Sequence, residues 1–216
     1  LKSETFTHYQ NDPANPQNAI PVDNSKGDQK WSSVAMDAAG DYVITWTSYG
    51  HDVVGSGYGA GVNGTNGVFA RRFQFSNAAF SWYPYPFQVN TFAAGDQQHS
   101  HVATDAGGDF VITWESFQDR PAAPYSGTNV ANDAPNSFGI YAQRYARSTL
   151  IGPSNVFVKA GAVVANNQFI GPNGEIGGEL HVNSTTTLGQ RYPSVAMSDA
   201  GDFAIAWSGN GEQAGQ

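Results

Sequence analysis

A ten-residue phrase occurs three times in this chain of 216 residues, and it constrains the fold more than any other feature. The three copies are DAAGDYVITW (37–46), DAGGDFVITW (105–114) and SDAGDFAIAW (198–207). Gln29, Gln97 and Gln190 each stand 17 positions before the Trp that ends the phrase. Self-similarity of this kind is typical of a repeat architecture, in which each copy builds the same supersecondary unit.

Two further phrases flank the copies and recur in the same order. Upstream lie PVDNSKGDQ (21–29), QVNTFAAGDQ (88–97) and HVNSTTTLGQ (181–190), and downstream lie GVFARRF (67–73) and GIYAQRY (139–145). Each piece has strand length and composition, with Gly, Asn or Asp at its boundaries. We therefore predict four strands per repeat, called a, b, c and d in chain order. Strand a holds the VN or VD pair, and strand b begins at the Gln. Strand c ends at the Trp, and strand d contains the Arg.

The repeats divide the chain into one continuous array of three units. We assign residues 1–75 to repeat 1, 76–148 to repeat 2 and 149–216 to repeat 3, and repeat 3 lacks strand d. We expect either that the chain is a fragment of a longer array or that another chain supplies the missing strand.

Strand c is apolar on both faces, with large side chains on one and small ones on the other. In repeat 1 the bulky row holds Tyr42 and Ile44, and the small row holds Val43 and Thr45. The bulky row ends at a Trp in every repeat: Trp46, Trp114 and Trp207. Strands without a polar face are buried on both sides. We predict an all-β fold of repeated four-stranded antiparallel sheets with propeller-like stacking; the alternative is β-sandwich-like.

The DAAGD segment between strands b and c predicts a tight hairpin turn. A Gly recurs at the position where such a turn needs positive φ: Gly40, Gly108 and Gly201. The leading Asp caps the turn through its carboxylate. The alternative is a calcium site, because closely spaced carboxylates at a tight turn suit a hard cation. Its candidate ligands are Asp37, Asp41, Asp105, Asp109 and Asp202; no other cofactor is expected.

Composition excludes several classes of partner. The formal net charge is −8, which argues against nucleic acid, where a basic surface supplies most of the affinity. No apolar run approaches the roughly 20 residues that span a bilayer. The chain has no Cys and is acidic and rich in Gly, which favours an extracellular or cell-surface bacterial protein.

Three of these phrases resemble a known family. FQVNTFAAGDQ, SVAMDAAGDYVITWTSYG and GIYAQRY are similar to the tandem FQVN…GDQ…SVA…DGGFVVTW…GIYGQRY repeats of large secreted bacterial proteins, often found beside haemolysin-type calcium-binding repeats. The resemblance covers most of the chain outside the long insertions. It implies a cell-surface structural or adhesive protein. The family's short Asp-Gly-rich joint between strands c and d is replaced here by longer segments.

Aromatic residues in the segments that do not repeat are the candidate contacts for a partner or a glycan. They are Trp82, Tyr83, Tyr85, Phe87, Tyr58 and Tyr125. His99 and His101 stand two positions apart on a predicted strand, so they lie on the same face, a spacing that zinc can use. However, His99 aligns with Trp31 and Tyr192, which indicates a position for a flat ring.

No catalytic motif is present, and we therefore predict a non-catalytic extracellular structural or adhesive protein. Its expected partners are copies of itself or other surface proteins, with glycans as a further candidate. The absent strand d predicts fibres formed by strand complementation. The alternative is a carbohydrate-binding propeller or a glycosidase-related domain, with Asp52, Glu115 and Asp119 as acids near the joints between strands c and d.

Overall fold

The structure is a computed structural model. It describes residues 7–9, 19–21, 28–49, 65–76, 79–82, 86–92, 95–117, 138–146, 162–164, 168–170, 175–184 and 189–209. These residues form strands and turns and contain no helix. The strands are β1 (Thr7–Tyr9), β2 (Ala19–Pro21), β3 (Gln29–Met36), β4 (Tyr42–Tyr49), β5 (Asn66–Ser76), β6 (Ala79–Trp82), β7 (Phe87–Gln88), β8 (Gln97–Thr104), β9 (Phe110–Ser116), β10 (Gly139–Tyr145), β11 (Ala162–Val164), β12 (Gln168–Ile170), β13 (Glu175–His181), β14 (Gln190–Met197) and β15 (Phe203–Gly209).

Three antiparallel sheets contain the repeated strands. Sheet 1 has the order β3-β4-β5-β6, and β7 also pairs with β5. Sheet 2 has the order β8-β9-β10-β13-β12-β11, and sheet 3 consists of β14 and β15. A separate hairpin joins β1 and β2. The predicted strands b, c and d are β3, β4 and β5 in repeat 1 and β8, β9 and β10 in repeat 2; β14 and β15 are strands b and c of repeat 3. The all-β, antiparallel prediction is confirmed.

Strand a of each following repeat completes the preceding sheet. In sheet 1, Val89 N donates to Val68 O at 2.8 Å, and Val68 N donates to the side-chain oxygen Oδ1 of Asn90, also at 2.8 Å. In sheet 2, Ile140 N donates in the same way to Asn183 Oδ1 at 2.5 Å. The Asn of the VN pair thus accepts a bond from the N-terminal part of strand d. Sheets 1 and 2 consequently each cross a boundary between sequence repeats, which interlocks neighbouring repeats.

The sheets stack with the small row of one against the bulky row of the next. The buried cluster between sheets 1 and 2 combines Val43, Val68 and Ala70 with Phe110, Ile112, Trp114 and Tyr145. The cluster between sheets 2 and 3 combines Ala103, Val111 and Ala142 with Val195, Met197, Phe203 and Ile205. Sheet 2 lies between the other two, so β9 is buried along its whole length. The apolar character of strand c predicts burial on both faces, and β9 has it, whereas the small face of β15 is exposed because no sheet covers it among the described residues.

A buried arginine links sheet 1 to sheet 2. The guanidinium carbon of Arg72 lies 4.3 Å from the centroid of the Phe110 ring, and its Nη1 donates to the carbonyl of Ala146 at 3.3 Å. A desolvated contact between Arg and a ring is worth about 1–2 kcal/mol. The Arg of strand d therefore stabilises the stack.

Candidate functional site

Strand b carries a β-bulge at the same place in all three sheets. The pairing shifts between Lys30 and Ser33 in β3, and at the equivalent positions of β8 and β14. The first residue of each bulge has positive φ: Trp31 (52°), His99 (54°) and Tyr192 (54°). Left-handed backbone costs an ordinary residue about 1–2 kcal/mol, and it persists where the surroundings compensate for it. A bulky residue in this conformation in all three sheets therefore points to a compensating contact.

The compensating contact is a column of three rings that crosses both joints between the sheets. The centroids of Trp31 and His99 are 4.0 Å apart, and those of His99 and Tyr192 are 5.1 Å apart. Both ring pairs are tilted, at 45° and 57°. Pairs at about this separation add about 0.5–1.5 kcal/mol beyond their buried area. His99 thus occupies the position for a flat ring that its alignment with Trp31 and Tyr192 predicts.

A fully buried carboxylate, Glu115, lies beside the column between sheets 2 and 3. Tyr192 N donates to its Oε1 at 2.5 Å, and Arg191 Nη1 donates to its Oε2 at 3.3 Å. Gln98 Nε2 also donates to Oε2, at 3.4 Å. His99 Nδ1 lies 3.1 Å from Oε1, an ion-pair distance when the imidazole is protonated, but without the alignment of a hydrogen bond. Glu115 is therefore bound to sheet 3 and has no face open to a substrate.

Sequence reasoning placed Glu115 among the acids of a glycosidase alternative, and its burial argues against that role. The other two acids of that alternative, Asp52 and Asp119, lie outside the described residues. One sequence signal could have identified the buried ion pair. Only repeat 2 has a charged residue directly after the Trp of strand c, where Thr47 and Ser208 stand in the other repeats.

The turns between strands b and c have the conformation that the sequence predicts, with a Gly at positive φ. Gly40, Gly108 and Gly201 have φ of 88°, 89° and 91°. Asp105 Oδ1 accepts from the backbone N–H groups of Gly107 and Asp109 at 2.8 and 2.9 Å, and Asp37 repeats this pattern in sheet 1. One oxygen of each leading Asp is therefore used by the turn itself.

The metal candidates do not converge in the described residues. Asp41, Asp109 and Asp202 follow the turn glycines, and Asp202 N donates to Ser198 Oγ at 3.1 Å. The described part of the chain contains no group of three or more His, Cys, Asp or Glu side chains placed to share a metal ion. Partial burial, and then the charge of His99, lower the pKa of His101. Calcium at the turns therefore stays an untested alternative, and the place of His99 in a run of aromatic rings fits the packing interpretation that the alignment favours over zinc.

The aromatic contact candidates fall largely outside the described residues. Tyr58, Tyr83, Tyr85 and Tyr125 lie there, as does the side chain of Trp82, whose backbone pairs with Phe73 at the end of β6. Phe87 is half-buried, and its ring lies 5.6 Å from that of Tyr145 in the cluster between sheets 1 and 2. The pairing of β7 with β5 holds Phe87 at this cluster, where its ring packs.

The repeated tryptophans are also packing residues. Trp46 and Trp114 are completely buried, and Trp207, which is half-buried, donates from Nε1 to Gln190 Oε1 at 3.2 Å. Each Trp lies opposite a bulge, where two residues of strand b face one of strand c.

Comparisons with known proteins do not assign a function. No protein-family model, no curated protein and no solved structure gives a significant match to this chain. Within the described residues, no helix has the length and apolar character needed to cross a membrane.

Proposed function

We propose that this chain is an extracellular structural or adhesive repeat protein without catalytic activity. One observation carries the proposal: the aromatic residues at the bulges and the buried Glu115 hold the sheets to one another, and the repeated Asp residues bind within their own turns. The ring column and Glu115 bridge adjacent sheets, and the turn carboxylate of Asp105 accepts from its own backbone. The repeated parts therefore specify a scaffold, and the segments that do not repeat are where partner contacts are expected.

The proposed architecture is a propeller-like stack of blades. Three features support it: small rows pack on bulky rows, bulges recur at equivalent positions, and strand a of the next repeat completes sheets 1 and 2. A propeller usually needs about 4–8 blades, so closure of a ring would require repeats from a second chain or from a longer one. The three sheets of the described residues do not themselves form a closed ring.

Strand complementation is the proposed mode of assembly into fibres. Strand β15 pairs only with β14 in the described residues, whereas the equivalent β4 and β9 each pair with a strand d as well. The edge of β15 that has no partner among the described residues is seven residues long, Phe203–Gly209, enough for a strand of ordinary length. An exposed edge of this kind is a template for a strand from another chain.

A peptide experiment tests this proposal. A labelled peptide with the sequence of residues 66–75 should bind the full chain at a single site and block its polymerisation, as seen by fluorescence anisotropy and electron microscopy. The matched control carries Pro at the position of Ala70, because Pro cannot donate to the ladder. Equal binding of both peptides would refute strand complementation. It would also be refuted if neither peptide bound at about 1 mM, because a dissociation constant of that size corresponds to a binding free energy of only about −4 kcal/mol.

A further inference from the structure

We propose that residues 155–161 of one copy of this chain supply the strand d that pairs with β15 of a second copy. The inference rests on the proposed strand complementation, and it names the donor segment. The donor sequence is NVFVKAG, within the long joint between strand d of repeat 2 and strand a of repeat 3. Residues 155–161 lie outside the described residues, whereas β15 is described over its whole length.

The donor segment resembles strand d of the first two repeats. NVFVKAG (155–161) aligns without a gap with GVFARRF (67–73) in β5 and with GIYAQRY (139–145) in β10. Each has a β-branched residue, an aromatic residue, a residue no larger than Val and a long polar residue at the same four positions. In the donor segment they are Val156, Phe157, Val158 and Lys159. The sequence thus holds one segment of this type for each strand c.

The other two segments of this type are already paired along both edges. Strand β5 pairs with β4 on one edge and with β6 and β7 on the other. Strand β10 pairs with β9 on one edge and with β13 on the other. Strand β15 pairs only with β14 in the described residues, so its second edge is the place that β5 and β10 fill in sheets 1 and 2. Residues 155–161 can fill it without any rearrangement of those sheets.

The small row of β15 is complementary to the donor segment. In sheets 1 and 2 a Thr of strand c lies opposite an Ala of strand d: Thr45 opposite Ala70, and Thr113 opposite Ala142. Each Thr hydroxyl also donates to a backbone carbonyl of strand d at 2.9 Å. Strand β15 has Ala206 at this position, and the same register sets Val158 opposite it. The β-branched member of the pair has moved from strand c to strand d, which nearly conserves the volume of the pair.

The bulky row of β15 also fits the donor segment. The Trp of strand c lies opposite a ring of strand d in both complete sheets, with centroids 6.4 Å apart: Trp46 opposite Phe69, and Trp114 opposite Tyr141. Those two tryptophans are completely buried, whereas Trp207 of β15 is only half-buried. The same register sets Phe157 opposite Trp207. The donor would therefore give Trp207 the cross-strand ring that its equivalents have.

The position of β11 indicates that a second copy accepts the donor segment. Strand β11 begins at Ala162, directly after the segment, and is the third strand beyond β10 in sheet 2. Neighbouring strands lie about 4.8 Å apart, so Ala162 lies about 14 Å to the side of β10. A strand d of sheet 3 would pack over β10, as strand d of sheet 1 does.

The length of one peptide link then excludes pairing within the same chain. Consecutive Cα atoms are about 3.8 Å apart, so Gly161 cannot lie over β10 while Ala162 stays in β11. Because donor and acceptor lie in different parts of the chain, the contact between copies is head to tail and can propagate without closing.

Disulfide cross-linking tests the pairing, because the chain has no Cys of its own. Full-length Val158→Cys and Ala206→Cys chains with different tags are mixed under oxidising conditions. The control replaces Ala206→Cys by Asp199→Cys, at an exposed turn position outside β15. Disulfide-linked heterodimers should exceed those of the control by at least about tenfold, because a disulfide needs Cα atoms within about 7 Å. Near-ultraviolet circular dichroism checks that each variant is folded.

A labelled peptide of residues 154–161 tests the side-chain fit by fluorescence anisotropy. It should bind the wild-type chain about threefold more tightly than its Val158→Ala form, because a β-branched residue opposite Ala206 improves the cross-strand pair. On the Ala206→Thr chain the order of the two peptides should reverse, since the β-branched residue is then supplied by strand c. The unlabelled peptide should also block the cross-link.

Three results would overturn the proposal. The first is cross-linking no greater than in the control, although the chain assembles and the peptide of residues 66–75 blocks assembly; strand complementation would then stand with another donor. The second is a chain with both cysteines that closes a disulfide within itself at high dilution, which would assign the segment to its own sheet 3. The third is a wild type that stays monomeric at high concentration and binds neither peptide, which would remove strand complementation together with its donor.

Discussion

Replacement of Glu115 by Gln should weaken the joint between sheets 2 and 3 without unfolding the rest of the stack. The amide has nearly the volume of the carboxylate and keeps one acceptor for Tyr192 N. Its NH₂ group, however, would face the donors of Arg191 or Gln98 in place of an acceptor. The loss therefore falls on charge and hydrogen bonding at one joint, and not on packing volume.

The magnitude follows from the contacts of the carboxylate. A hydrogen bond to a charged group is worth about 1.5–3 kcal/mol, against about 1 kcal/mol for a neutral pair. The Arg191 side chain is partly exposed, and water compensates for part of its loss. We therefore expect the free energy of opening this joint to fall by about 2 kcal/mol, which is about a 30-fold increase in the open population. Sheet 3 alone is a two-stranded hairpin, which is marginally stable in water.

Native-state hydrogen exchange measures this locally. Amides of β14 and β15 should exchange about 30-fold faster in the Glu115→Gln variant, whereas amides of β4 in sheet 1 should be unchanged. The control is Asp199→Asn, which removes an exposed negative charge at a turn. The reasoning is refuted if exchange accelerates equally in all three sheets, or if sheet 3 accelerates less than threefold.

A double-mutant cycle separates the ion pair from other effects. Arg191→Met leaves a buried carboxylate without its cation, which costs more than losing both partners. The double variant should therefore be less destabilised than the sum of the two single variants, by at least about 1 kcal/mol. Additive costs would show that Arg191 and Glu115 do not interact.

Three further predictions concern the turns and the outer face of sheet 1. Gly108→Ala should lower the free energy of unfolding by about 1–2 kcal/mol, because Gly108 has a φ of 89°. Gly107→Ala introduces the residue that the other two repeats carry, so it should leave the stability unchanged or raise it. Urea midpoints that move equally in the two variants would contradict this. Burial raises the pKa of Tyr42 in the folded chain, and the charge of Arg71 opposes this in part. Because an unfolded Tyr titrates near pH 10, the free energy of unfolding should hold below about pH 10 and fall above it. Urea midpoints at pH 8 and pH 11 should differ less for Tyr42→Phe than for the wild type. A chelator should leave the thermal midpoint unchanged because the turn carboxylate already accepts two backbone bonds; a drop that calcium reverses would establish the calcium alternative.

The repeated phrase predicted the features that depend on near neighbours in the chain. A turn that needs positive φ requires Gly, so Gly40 and its equivalents could be identified from sequence. The alternation of Val43 with Ile44 defined the two faces of strand c, because side chains alternate along any strand. Alignment also placed a ring at position 99, although nothing local predicts left-handed backbone for Trp31 or Tyr192.

Contacts between distant residues were decided by the tertiary structure alone. The VN pair looked like the start of a repeat, yet Asn183 accepts from Ile140 and belongs to the preceding sheet. Glu115 looked like a loop acid, yet it binds the backbone of Tyr192, 77 positions away. Turns and facing rows follow from local geometry, which a single phrase encodes. The partner of a strand or a charge depends on which sheets stack, and that emerges only once the apolar rows of separate repeats are buried together.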